Sequence, residues 1–209
     1  MPQRFDLPEW LPLFPLPGVL LLPRARLPLQ IYEPRYLQML DDVLKADNRL
    51  IGVIQPSGED ELAPIGCAGR VTGFTETEDG RYMISLRGVS RFRLTDADEG
   101  FAPYLKGRAD WSDYAHDTGP AETDPGFDRA SLIDRLRRLM DQHEMSADWN
   151  SMAEAGDETL VNALSMALPF EASEKQALLE APTLPERRKM LSSLIEFALH
   201  DSGKEERLQ

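Results

Sequence analysis

A single cysteine, Cys67, serves a chain of 209 residues, which excludes an internal disulfide and any paired-cysteine metal site. Its neighbours Ile65 and Val71 predict a thiol buried in a strand, and so little cysteine fits a reducing, cytoplasmic compartment. Histidine is scarce as well: His143 and His200 have no second histidine or cysteine at metal-ligand spacing. No apolar stretch approaches the roughly 18 residues of a membrane span. Met1 to Asp6 holds a proline and an acid instead of a basic stretch leading into an apolar one, so no signal peptide is expected. The Gly-x-x-x-x-Gly-Lys-Ser/Thr phosphate cradle is missing, and so is the Gly-x-Ser-x-Gly nucleophile elbow. Ser165 and Ser173 lie near Lys175, but helix ends account for them better than an activated nucleophile does. The Asp41-Asp42 pair falls on an exposed helix, where nothing tunes a general acid. The expectation is a protein with no catalytic residues, no metal and no cofactor.

Positive charge is also in deficit. Lys and Arg number 23 against 36 Asp and Glu, for a net charge of −13. Residues 1–115 carry 13 basic and 17 acidic side chains; residues 116–209 carry 10 and 19. Non-specific nucleic-acid affinity comes mainly from basic side chains neutralising phosphates, so nucleic acid is not an expected partner. One basic cluster stands out: Arg81, Arg87, Arg91 and Arg93. Glu76, Glu78 and Asp79 can neutralise them, which reads as a solvated charged face.

Proline, by contrast, is dense in one place. Pro12, Pro15, Pro17, Pro23 and Pro28 interrupt an apolar, strand-like run. Proline lacks an amide donor and fixes φ, so this run predicts short edge strands joined by tight turns rather than a central strand. Strands are expected over Leu11–Phe14, Val19–Leu22 and Leu27–Tyr32. Pro34 then suits the first position of a helix, and Tyr36, Leu37, Leu40, Val43 and Leu44 follow at helical spacing to about Ala46. Arg49–Gln55 and Ile65–Glu78 read as further strands. Asp79-Gly80 is a two-residue hairpin signal, since both residues tolerate positive φ. Tyr82, Ile84 and Leu86 alternate with Met83, Ser85 and Arg87 as in a half-buried strand. Phe92–Thr95 and Ala102–Trp111 complete a mostly antiparallel set of about seven strands with one inserted helix.

Residues 112–127 are acidic, rich in turn formers and without period, the pattern of a linker or mobile loop. Asp110, Asp113, His116 and Asp117 cluster there, but without the glycine kink and closing Glu of a calcium loop. A helical lobe follows over 128–200. It has apolar stripes at Leu132, Ile133, Leu136, Leu139, Met140 and His143, at Leu160, Val161, Leu164 and Leu168, and at Leu191, Leu194, Ile195 and Ala198. Asp157, Ser173-x-x-Gln176 and Thr183-x-x-Glu186 read as helix starts. The polar segment 201–209 reads as a disordered tail. The division expected is thus 1–111, 112–127, 128–200 and 201–209.

Several of these segments agree, in order, with one family. Leu11-Pro12-Leu13-Phe14-Pro15-Leu16-Pro17-Gly18, followed by Glu33-Pro34-Arg35-Tyr36, resembles the amino-terminal substrate-binding domain of the Lon proteases. Ile65-Gly66-Cys67-Ala68-Gly69-Arg70-Val71, the Asp79-to-Gly88 hairpin and Arg91-Phe92-Arg93 are similar to strands of that domain. Leu164–Phe170 and Glu174–Glu180 resemble the helical part of stand-alone members. The resemblance implies an α+β fold: a PUA-like β-pseudobarrel with one inserted helix, followed by an α-helical lobe. It implies a non-enzyme without the ATPase and Ser–Lys protease domains of Lon. Its implied partners are unfolded or degron-bearing polypeptides and a Lon-type protease or chaperone, in an adaptor or regulatory role in protein quality control; the helical lobe, small for independent stability, is expected to pack on the barrel or on a second copy of the chain. Such capture needs exposed apolar side chains beside a strand edge. Leu20 and Leu22 in a proline-bounded loop, Tyr32 and Tyr36 about the Glu-Pro turn, and Phe74 near the hairpin are the candidates. The other reading is a PUA-like module for RNA or a small ligand, since PUA-like barrels elsewhere bind nucleic acid.

Overall fold

Three of the five clustered prolines fall inside two six-residue strands, β1 (Trp10–Pro15) and β2 (Arg26–Ile31). The computed structural model describes residues 7–58, 61–78, 80–98, 100–142 and 146–205. β1 is not the edge strand its prolines suggest. Trp10–Pro12 pairs antiparallel with β6 (Lys106–Asp110), and Leu13–Pro15 pairs parallel with β3 (Leu50–Ile54). Each half therefore has one ladder partner, which removes the conflict between proline and an interior position.

The remaining strands are β4 (Ile65–Glu76) and β5 (Tyr82–Asp98). The sheet order is β2-β5-β4-β3-β1-β6, and β5 also pairs with β6, so five strands close into a barrel with β2 added outside. β5 makes this possible by its length. Tyr82–Arg87 pairs with β2, and Arg93–Asp98 pairs with β6. It replaces the two strands expected over Tyr82–Leu86 and Phe92–Thr95. The Asp79-Gly80 turn signal falls partly on Asp79, which lies outside the described residues. Gly80 has φ +76°, and the Thr77 amide donates to the Arg81 carbonyl at 2.8 Å.

Val19–Leu22, expected as a strand, is a loop whose leucines turn inward. It crosses β5 at Gly88. The Arg24 amide donates to the Gly88 carbonyl at 2.8 Å, and the Gly88 amide donates to Ala25 at 2.9 Å. A Cβ on Gly88 would stand 2.0 Å from the Leu22 carbonyl oxygen, so only glycine admits the crossing. Inside the barrel, Leu11, Leu13, Ile54, Ala68, Phe92 and Ala109 form one apolar cluster, with the Trp111 ring 5.6 Å from Phe92. Outside it, α1 (Pro34–Lys45) buries Tyr36, Met39, Leu40 and Val43.

The chain divides into two compact units, Met1–Pro120 with Glu171–Leu179, and Ala121–Phe170 with Glu180–Gln209. Two boundaries thus differ from expectation. The segment read as a linker contains a 3₁₀ helix, Ser112–Thr118, that belongs to the barrel unit. So does α5 (Ala172–Glu180) through Leu179. Gln176 Nε2 donates to the Ile65 carbonyl at 3.0 Å, Gln55 Nε2 to the Ala172 carbonyl at 3.1 Å, and Lys175 Nζ to the Gly18 carbonyl at 3.0 Å.

The second unit holds α2 (Arg129–Gln142), α3 (Trp149–Glu154), α4 (Asp157–Ala167) and α6 (Leu184–Glu205). The expected stripes are its core: Leu136, Val161, Leu191 and Ile195 are fully buried. Arg187 is buried with them and donates to Asn162 Oδ1 at 3.0 Å. α6 continues to Glu205, past the point where composition placed the tail.

Candidate functional site

The five candidate anchors separate sharply. Leu20 and Leu22 are 2% and 0% exposed and Tyr36 is 6% exposed, so these three are core. Tyr36 packs its ring on Phe14 with centroids 4.4 Å apart, and burial raises its phenol pKa. Their apolar character serves the loop crossing and the α1 contact, not a ligand. Tyr32 and Phe74 are 60% and 53% exposed.

β2, the first half of β5 and the outer half of β4 form the ribbon that carries the exposed residues. Gln30, Met83 and Thr75 are direct neighbours across three strands, and so are Leu29, Ile84 and Phe74. Adjacent positions on a strand point to opposite faces. Met83, itself well exposed, therefore projects on one face and Phe74 on the other. Tyr32 stands one step beyond the Ile31–Tyr82 pair, with the Arg81 guanidinium 5.7 Å from its ring centre. Thr72–Glu76 are all exposed, so this end of the ribbon extends past the core. Among the described residues β2 pairs with β5 alone, and Pro28 at its middle removes one donor from the open edge. Met83 was not singled out from the sequence, although its alternation with Ile84 already placed it on the outer face.

Two grooves meet at the buried Tyr104. One groove of about 300 Å³ is lined by Pro15, Arg35, Tyr36, Pro103 and Tyr104. Another of about 230 Å³ is lined by Trp10, Pro12, Val43, Tyr104 and Lys106. Tyr104 donates its hydroxyl to Asp42 Oδ2 at 2.8 Å. Burial, aided by that carboxylate, pushes its pKa up to about 12, so the phenol is neutral at any physiological pH.

The acid cluster about the 3₁₀ helix is occupied by arginines. Asp113 accepts from Arg93 at 2.8 Å, and Asp117, with a fully buried carboxylate, accepts from Arg91. Arg91 is 0% exposed, which corrects its assignment to a solvated face. Its Nη1 donates to the Leu179 carbonyl at 3.1 Å, and its guanidinium lies 4.3 Å from the Tyr114 ring centre. No local signal marks this pair, because Asp117 lies 26 positions downstream in a segment without pattern. His143 lies outside the described residues.

Comparison with known proteins gives one consistent result. The sequence profile of the ATP-dependent protease La (LON) substrate-binding domain matches residues 10–196. Lon protease 2 of Myxococcus xanthus is 26% identical over 203 residues, 92% of this chain and 24% of that protein. Lon protease of Desulfosudis oleivorans is 30% identical over 95 residues, 42% of this chain and 12% of that protein. The chain thus spans about a quarter or less of the curated relatives it matches. Among solved structures, a Lon N-terminal domain protein from Xanthomonas campestris superposes with a TM-score of 0.62 at 22% identity, covering 88% of this chain and 97% of that one. The N-terminal domain of the Mycobacterium avium complex Lon protease gives 0.67 at 15% identity, covering 90% and 98%. No helix among the described residues is long and apolar enough to cross a membrane.

Proposed function

The chain belongs to the family of the Lon substrate-binding domain, and from that premise we infer that it captures polypeptide segments without performing chemistry on them. Its role is that of an adaptor or regulator in cytoplasmic protein quality control. One observation carries the reading: a closed barrel holds out a strand ribbon on and beside which Tyr32, Met83 and Phe74 are 60%, 42% and 53% exposed. Extended segments are recognised through a strand edge and through pockets or anchors for alternate side chains. Aromatic side chains suit this role, offering large contact area with few rotamers to freeze. β2 supplies an edge with one sheet partner, and Tyr32 and Met83 stand beside that edge.

The test is fluorescence anisotropy of a labelled, permanently unfolded polypeptide titrated with the folded chain. Saturable binding that weakens on Tyr32→Ala together with Met83→Ala supports the reading, since neither residue is core. Apolar capture also holds or strengthens as salt rises. Binding to single-stranded RNA that falls steeply with salt, with no binding to the polypeptide, would move the chain to the other PUA-like role.

A further inference from the structure

One face of the same ribbon carries an unbalanced charge. Arg26 of β2 lies directly across from Arg87 of β5, which lies directly across from Arg70 of β4. Three arginines thus stand in a row across three strands of a chain whose net charge is −13. Arg26 and Arg87 are exposed, and among the described residues neither guanidinium has an ion-pair partner. Arg70 is half-buried and donates through Nε to the Asn48 carbonyl at 3.0 Å. Like charges directly opposite on neighbouring strands are destabilising, so the row does nothing for the fold. The other positions of this face are Pro28 with Ser85, then Gln30, Met83 and Thr75; none is acidic. Arg93 and Arg91, further along β5, do have their acids, Asp113 and Asp117. Among the described residues, Arg26 and Arg87 have no such carboxylate.

We propose that this face receives an extended, acidic polypeptide segment, its carboxylates meeting Arg26 and Arg87 and its apolar side chains meeting Met83 and Tyr32. Arg87 and Met83 are four positions apart on one strand face, about 13 Å. A segment running along the ribbon matches both ends when a carboxylate stands about four residues from an aromatic or aliphatic side chain. Guanidinium–carboxylate bonds are directional and stronger than neutral ones, so the row supplies register as well as attraction. Electrostatic repulsion from the rest of this acidic chain confines such a segment to the arginine face.

This inference rests on the polypeptide-capture reading, and one experiment separates the two. Two labelled synthetic peptides of Phe and Ser are titrated with the intact chain, one carrying Asp and the other Asn at the same positions. The Asp peptide is expected to bind about tenfold more tightly at low salt, the scale of a charge-assisted hydrogen bond. Arg26→Gln with Arg87→Gln should erase that difference while leaving the Asn peptide unaffected. Arg26→Glu with Arg87→Glu should reverse it in favour of a Lys peptide. Equal affinity for the Asp and Asn peptides overturns the inference and leaves capture standing. No binding of either overturns both. Tighter binding of a single-stranded RNA oligonucleotide, abolished by the same Arg→Gln pair, assigns the row to phosphate and overturns the acidic-peptide occupant.

Discussion

Arg91 and Asp117 form a two-pronged ion pair with no exposed side-chain surface on either partner: Nε donates to Oδ2 and Nη2 to Oδ1, each at 2.9 Å. The Arg91 backbone amide donates to the same Oδ2, also at 2.9 Å. One carboxylate thus satisfies three donors of one residue. Burial by itself disfavours the guanidinium charge, but hydrogen bonds and Coulomb attraction from Asp117 outweigh it and hold the Arg91 pKa above its ordinary value. The pair ties the 3₁₀ helix to β5, and the Arg91–Leu179 bond ties α5 to the same point.

Removing one partner leaves the other charge buried and alone. Asp117→Ala is expected to cost about 3–5 kcal/mol in urea-unfolding free energy. Asp113→Ala, whose pair with Arg93 is half-exposed, should change stability by less than about 1 kcal/mol. Equal effects from the two substitutions would show that the buried pair is not the fastening point.

Gly88→Ala tests the loop crossing. The added methyl would meet backbone, the Leu22 carbonyl, at a separation no rotamer change relieves. Overpacking of this kind costs at least about 1–3 kcal/mol. Gly73→Ala on β4 is the control, since its Cβ would meet nothing within 4 Å.

Tyr104 gives the fold a dependence on alkaline pH. Its pKa stands at about 12 in the folded chain against 10.0 ordinarily. The folded state therefore keeps a proton that the unfolded state releases. That contribution to stability is complete below pH 10 and is lost as pH rises through 12. Phenolate absorbance should show a tyrosine titrating near the top of this window, and Tyr104→Phe should remove that phase.

Two serine/threonine helix starts read from sequence separate in the same way. Thr183 Oγ1 accepts from the Glu186 amide at 3.4 Å and donates to Glu186 Oε2 at 3.0 Å, a side-chain cap at the start of α6. Thr183→Ala should cost about 1 kcal/mol. Ser173 lies inside α5, whose start is instead marked by Glu174 accepting from the Glu171 amide at 2.9 Å. Ser173→Ala should be nearly neutral in thermal unfolding.

The parts legible in the sequence were those with a local cause. Pro34 and the spacing from Tyr36 to Leu44 placed α1, and alternation from Tyr82 to Arg87 placed the exposed half of β5. Cys67 is buried in β4 as its neighbours indicated. The misreadings have non-local causes. Val19–Leu22 is apolar because its leucines turn into the core, so its composition matched a strand without being one. Gly88 is required by a loop far away in sequence, which no local pattern reveals. Arg91 resembles Arg87 and Arg93 in every local respect, and only the fold brings Asp117 to it. For the candidate surface, residue type alone could not separate Tyr32 from Tyr36: one stands beyond a strand end, the other on the inner face of α1.

Amide hydrogen exchange of the whole chain, with and without a saturating unfolded polypeptide, tests the central claim most directly. Polypeptide capture by the ribbon predicts slowed exchange in residues 26–32, 72–76 and 82–87, with the barrel interior unchanged. Slowing confined to other segments, such as those lining the Tyr104 grooves, or no slowing at saturation, would contradict it.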